Sequence, residues 1–195
     1  MDNIVVLKCA CGTVKGTLKI VPSSLFHAHC LCCDCQRFAK YLNNEKSILD
    51  EHGASELLQT YPAYMNISEG EDQISAVQLT HKGIYRWHTT CCNMPLANTM
   101  GASHIPFIGV SAKLMQFATE QEKLDKLGPV TMKAFGKYAI GEMPKDVHEK
   151  FPTSYIPKII YFMLKGMLLK KSKPSPFCNG KVPAVKIKRL GNVKS

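Results

Sequence analysis

The sequence has no run of about 20 apolar residues, the length that crosses the hydrocarbon core of a bilayer, so no transmembrane helix is expected. Its first residues, MDNIVVLKCACG, lack a basic stretch followed by a long apolar one, and no secretory leader is expected. These absences lead to an expected cytoplasmic location. Thiols stay reduced there, and clustered cysteines point to metal or catalysis rather than to disulfides. Neither an internal repeat nor a low-complexity tract is found. Acidic residues are missing from residue 150 onward: residues 150–195 hold eleven Lys or Arg and no Asp or Glu, while residues 1–149 hold fourteen basic and fifteen acidic residues. The net charge of +10 therefore belongs to the C-terminal segment. Such asymmetry points to an acidic partner, a membrane surface or nucleic acid, or to a solvated tail that keeps the chain soluble.

The rest of the composition is that of a globular protein. The chain has 195 residues, 45% hydrophobic and 21% charged, enough for one core or for one domain with an appendage. Residues 4–8 read as a strand running into CACG, TVKGTLKIV alternates apolar and polar side chains, and SSLFHAHC reads as a third strand. CQRFAKYL fits a short helix. ELLQTYPAYMNI and QISAVQLTHKGIYRWHTT, rich in β-branched and aromatic residues, fit paired strands around the turn SEGEDQ. IPFIGVSAKL reads as a last strand. KLMQFATEQEKLDKLG then has a helical pattern with Gly128 as its stop, FPTSYIPKIIYFMLKGMLLKKSK is the most apolar stretch, KPSPFCNGKVP is loop-like, and the last dozen residues are expected to be mobile. The expectation is a mainly β domain over residues 1–115, followed by a helical, basic extension over 116–195.

Eight of the nine cysteines fall in three short clusters, each at a strand end or turn; Cys178 stands alone. Cys30, Cys32 and Cys35 form C-x-C-x-x-C with Cys33 as an extra. Cys9 and Cys11 form C-x-C with Gly12 to ease the turn, and Cys91 and Cys92 are adjacent. A disulfide between neighbours is disfavoured, because adjacent Cα atoms lie only about 3.8 Å apart. A redox pair remains an alternative. Thiolates at such short spacings select zinc or iron–sulfur clusters; zinc, the reading preferred, takes four ligands in a structural site and keeps one position open in a catalytic one. Cys30, Cys32 and Cys35 supply three and leave a vacancy, unless Cys33, His27 or His29 closes it. Cys9, Cys11, Cys91 and Cys92 can close a separate structural site. Two zinc ions per chain are expected.

In order and separation, CACGTVKG, HCLCCDCQ and RWHTTCCNMPLAN resemble the glutathione-dependent formaldehyde-activating enzyme family, which also includes centromere protein V. The resemblance covers roughly residues 4–115, and IPFIGVSAKL is similar to the family's closing strand. It implies a zinc-bound beta-tent (Mss-four-like) fold. Cys9 and Cys11 match the family's first structural pair, Cys30, Cys32 and Cys35 its catalytic thiolates, and Cys92, with Pro95 and Leu96 following, its last structural ligand. The family's C-x-x-C would place a further cysteine at Thr89. Here Cys91 replaces it, or His88 reaches the metal, or the site is incomplete. Asn93 and Met94 also depart from the usual Gly-Ser.

The resemblance implies a carbon–sulfur lyase of the S-(hydroxymethyl)glutathione synthase type, acting on a small thiol such as glutathione and a small aldehyde. Cys30, Cys32 and Cys35 would carry the chemistry. The alternative is a non-catalytic zinc-stabilised module that uses its basic tail on an acidic partner. For the tail, YIPKIIYFMLKGMLL at residues 155–169 is too short as a helix to span a bilayer. It packs on the β domain or a second subunit, or makes peripheral membrane contact with Lys170, Lys171 and Lys173 on anionic lipid. Nucleic acid is disfavoured, since few aromatics are mixed with the basic residues. His27, His29 and His88 are read as packing residues rather than metal or substrate ligands; Arg86 and Trp87 can line a pocket, with Trp87 read as core.

Overall fold

Alternation of side chains builds the first sheet. In β1 (Ile4–Lys8) and β2 (Lys15–Lys19), Val5, Leu7 and Leu18 are buried, while Val6, Thr17 and Lys19 face outward. With β5 (Met65–Glu69) they form a three-stranded antiparallel sheet in the order β1-β2-β5. The computed structural model describes residues 3–21, 24–80, 83–179 and 182–190.

The second sheet has eight strands. Their order is β10 (Met132–Ala134), β3 (Phe26–Cys30), β4 (Ser55–Thr60), β9 (Ile108–Ser111), β8 (Pro95–Thr99), β7 (Tyr85–Thr89), β6 (Ile74–Gln78) and Lys188–Arg189. Neighbours pair antiparallel except at the two edges, where β10 runs parallel to β3 and Lys188–Arg189 parallel to β6. One face packs on the small sheet: Val5, Leu7, Leu18, Met65 and Ile67 meet Trp87, Leu96, Ile108 and Val110 in one core. The other face is covered by α1 (Cys33–Tyr41) and α2 (Glu45–Ile48), whose Phe38, Ala39 and Ile48 pack on Val77 and Leu79. All five residues of β8 are buried, as a strand covered on both faces requires. Successive strand residues point to opposite faces, so Trp87 enters the main core while Arg86 and His88 both meet Phe38 of α1.

The protein is mainly β, as expected. Beyond residue 115 the chain returns to the same sheet at both edges, through β10 and Lys188–Arg189. The helical pattern from Lys113 is realised only as α3 (Glu120–Leu127), capped by the Thr119 hydroxyl, which accepts the Glu122 N–H, and followed by Gly128 at φ +71°. The reason lies upstream. Met115 bridges Leu7, and the Gln116 N–H donates to the Val6 carbonyl at 2.9 Å, so pairing with β1 overrides helical propensity there. The apolar stretch forms α4 (Ile156–Leu168). In the loop-like KPSPFCNGKVP, Phe177 is fully buried against Trp87, ring centroids 4.6 Å apart. Of the last dozen residues, expected to be mobile, Lys188–Arg189 instead pair with β6; residues 191–195 lie outside the described ones. Among the described residues no helix is long and apolar enough to cross a membrane.

Candidate metal centres

Two turns at strand ends form the first cluster. Cys9 and Cys11 lie in the turn after β1, where Gly12 adopts φ +80°, a conformation glycine enters without a Cβ clash. Cys91 and Cys92 lie in the turn from β7 to β8, closed by the Thr89 N–H donating to the Met94 carbonyl at 2.9 Å. The Cys11 sulfur is 3.5 Å from that of Cys9 and 3.3 Å from that of Cys91; Cys9–Cys91 and Cys91–Cys92 are 3.9 and 3.8 Å. Four sulfurs bound tetrahedrally at about 2.3 Å from a zinc ion lie about 3.8 Å apart, so this donor set fits such an ion. The Val14 N–H donates to the Cys9 sulfur at 3.2 Å, and the Thr89 hydroxyl lies 3.4 Å from the Cys92 sulfur. The Thr13 hydroxyl and backbone, with Cys91, lower the Cys11 thiol to about 6. Burial and its hydrogen bond to Cys11 push Cys91 up to about 12.

Of the three ways to complete this cluster, the structure brings in Cys91. His88 lies elsewhere, buried against the rings of Phe38 and Tyr41 at 6.2 and 5.7 Å. Neither of its ring nitrogens has a hydrogen-bond partner among the described residues, and burial lowers its pKa to about 4. Asn93 holds φ +53°, a conformation that asparagine, next to glycine, adopts most readily, so the turn survives the missing Gly.

The second cluster is built by β3 and α1. Cys30 ends β3, paired with Ser55 of β4 and Ala134 of β10. Cys32 is the N-cap of α1, its sulfur accepting the Cys35 N–H at 3.4 Å, where an oxygen side chain is usual. Cys35 shares a helix face with Phe38 and Ala39, turned to the sheet. The three sulfurs lie within 4.8 Å of one another. Cys33 is kept out by helix geometry: two residues amount to a turn of about 200°, leaving Cys33 exposed while Cys35 is buried. The His27 ring nitrogens lie 2.8 Å from the Gly128 carbonyl and 2.8 Å from the Glu56 carboxylate, which also holds Lys123. His29 stacks edge-on to His27 and is not in the group. Among the described residues this cluster has three ligand atoms and no fourth.

Hydrogen bonds from Cys30 and Cys32 hold the Cys35 thiol well below the usual range against burial, and Arg86 adds to the effect. The hydrogen bonds Cys30 gives, first to Cys32, keep it protonated. Cys32 receives a bond from Cys30, yet its own bond to Cys35 and burial push it up to about 12. Arg86 is 3% exposed. Its Nη1 lies 3.7 Å from the Cys35 sulfur and donates to Asn98 Oδ1 at 3.4 Å, with the guanidinium 5.5 Å above the Phe38 ring. Burial opposes its charge, but Cys35 and Cys32 outweigh that and keep it protonated. Among the described residues no carboxylate pairs with it. A lone buried cation is costly, and the negative charge it faces is thiolate sulfur.

Two spaces border this cluster. Cys35, Ser55, Arg86, Asn98 and Ser111 help line a cavity of about 20 Å³, roughly the room one water molecule needs. Cys32, Phe135, Lys137, Tyr138 and Lys150 help line a groove of about 410 Å³, in the range of small-molecule sites. Gln36 of α1 ties the groove to the cluster by donating to the carbonyls of Leu31 and Tyr138 at 2.9 and 2.8 Å. The groove's C-terminal residues carried no signal in the sequence. Arg86 carried one: a charged side chain between the aromatic Tyr85 and Trp87.

Fold and site together define a mainly β protein with two cysteine clusters, Cys9, Cys11, Cys91 and Cys92, and Cys30, Cys32 and Cys35, that can hold metal ions. The chain belongs to DUF6151, a family of unknown function whose match spans residues 1–188. A comparison with curated proteins finds no match.

Proposed function

We propose that the protein binds two zinc ions and joins a thiol to a small aldehyde at the second, the reaction of the formaldehyde-activating family it resembles. In this reading the two packed sheets form the beta-tent. The observation that carries it is the difference between the clusters: four sulfurs in one, three in the other. Cys30, Cys32 and Cys35 would hold the second ion, and such an ion would supply the acidity that makes a substrate thiol a nucleophile. Three thiolates and a divalent ion leave a single negative charge, which Arg86 offsets in its buried setting. Lys137 and Lys150 suit the carboxylates of a thiol such as glutathione, and the cavity beside Cys35 limits the electrophile to the smallest aldehydes.

The chemistry balances without an oxidant. The sulfur attacks the carbonyl carbon, a carbon–sulfur bond forms, and the carbonyl π pair moves to oxygen. The proton released by the thiol returns to that oxygen, giving a hydroxymethyl thioether. Arg86 and Asn98 can donate hydrogen bonds as charge develops on the oxygen.

Elemental analysis and the rate of adduct formation from glutathione and formaldehyde, followed by NMR, test the reading. The expected result is two zinc ions per chain and a rate above the spontaneous reaction, with Cys35→Ser reduced to one ion and the spontaneous rate. A wild-type rate no faster than the spontaneous one, or a fully active Cys35→Ser protein, overturns it.

A further inference from the structure

We infer that α4 docks the protein on an anionic lipid surface. The 13 residues of this helix are apolar nearly all round, a composition expected of a buried helix. One face is buried. Phe162 stacks on Tyr61 with centroids 4.1 Å apart, the Tyr61 hydroxyl donates to the Phe162 carbonyl at 2.8 Å, and a Cβ on Gly166 would meet Tyr61 Cε1 at 2.4 Å. Those contacts fix the helix phase. At 3.6 residues per turn, Ile156, Met167, Ile160, Leu164, Leu168 and Tyr161 then fill a continuous arc of about 140° on the opposite side. They are 44–82% exposed. The core cannot take this arc back without giving up the Tyr61 contacts.

Charge identifies what covers it. Lys158 and Lys165 border the arc and Lys170, Lys171 and Lys173 follow it, with no acidic residue anywhere from 150 to 195. A two-fold pairing of α4 with a second copy would set these lysines against one another with no carboxylate on the element to answer them. Nucleic acid would answer the lysines and leave the apolar arc in water. An anionic bilayer meets both: the arc enters the acyl boundary while the lysine stems reach the headgroups. At about 20 Å, α4 lies on such a surface rather than across it. The inference is independent of the metal reading.

Flotation of the full-length protein with vesicles of phosphatidylcholine alone, and of phosphatidylcholine and phosphatidylserine in equal parts, tests it. Binding is expected on the mixed vesicles, weakening as salt screens the lysines. Lys165→Gln and Lys170→Gln should each lower partitioning about fivefold. The double variant Ile160→Glu, Leu164→Glu should stay in solution, with unchanged circular dichroism and zinc content, since both side chains are already exposed. A wild-type protein that fails to float on the mixed vesicles overturns the inference, as does a double variant that floats equally well. So does a wild-type dimer in sedimentation velocity that the double variant dissolves, which would assign the arc to a second copy. Zinc read in the same samples keeps the two readings apart: failure to float with both ions bound counts against the lipid surface alone.

Discussion

Arg86 is a residue whose cost makes sense only with its neighbours. Replacing it by Met, which keeps volume and removes charge, should weaken metal retention at the Cys30, Cys32 and Cys35 cluster by about 10- to 100-fold, as loss of an outer-shell partner does. Competition with a chromophoric chelator measures this, and Arg86→Lys should recover part of the loss by restoring the charge. His88 makes a different prediction. Its folded-state value near 4 lies below the ordinary 6.5, so the unfolded chain binds the proton first. The resulting stability is complete above about pH 6.5 and is lost as pH falls towards 4, by about 3 kcal/mol. Urea denaturation across that window should show His88→Phe with a flatter acid limb than wild type, and the difference between the two proteins isolates the imidazole. The role of His88 was not legible in the sequence, and Arg86 showed only as a residue able to line a pocket. The seven cysteines of the two clusters were legible, five through C-x-C and C-x-x-C spacings that fix which sulfurs one turn can present, and Cys91 and Cys92 as an adjacent pair after a strand. The exclusion of Cys33 was not, because it depends on the helix beginning at that residue.

The elements were legible to the extent that local pattern decided them. β2 follows from alternation, the strands around Trp87 from their β-branched and aromatic content, and α4 lies in the most apolar stretch. The segment from Lys113 reads as helix on local grounds, yet Met115 and Gln116 pair with β1, a long-range contact that a window of neighbours does not contain. Helix docking is set by a single missing side chain. Gly166→Val should lower stability by about 1–3 kcal/mol, because its side chain would overlap Tyr61 and Pro106. Thermal denaturation checks this, and Met167→Ala, one position on and exposed, should fall within about 0.5 kcal/mol of wild type.

For the whole molecule, the arrangement of the large sheet matters most. Its edges are β10 at one side and Lys188–Arg189 at the other, both drawn from the chain beyond residue 115. Strand pairing over such separations leaves no mark in local sequence, which is why residues 116–195 read as an extension. Deleting residues 186–195 should bare the edge of β6 and promote self-association, seen as concentration-dependent light scattering absent from the full chain. The same layout bears on how the protein is made. A chain emerging from the ribosome has synthesised every interior strand while both border strands are still to come, so β3 stands open until Met132–Ala134 is made and β6 until Lys188–Arg189 is made, close to the end of translation. The Cys30 loop follows β3 directly, with the Leu31 N–H donating to the Ala134 carbonyl at 3.1 Å. The scaffold of the three-sulfur centre is thus completed late, after the four-sulfur centre has all its ligands. The two cysteine clusters are therefore completed in a set order, the four-sulfur one first.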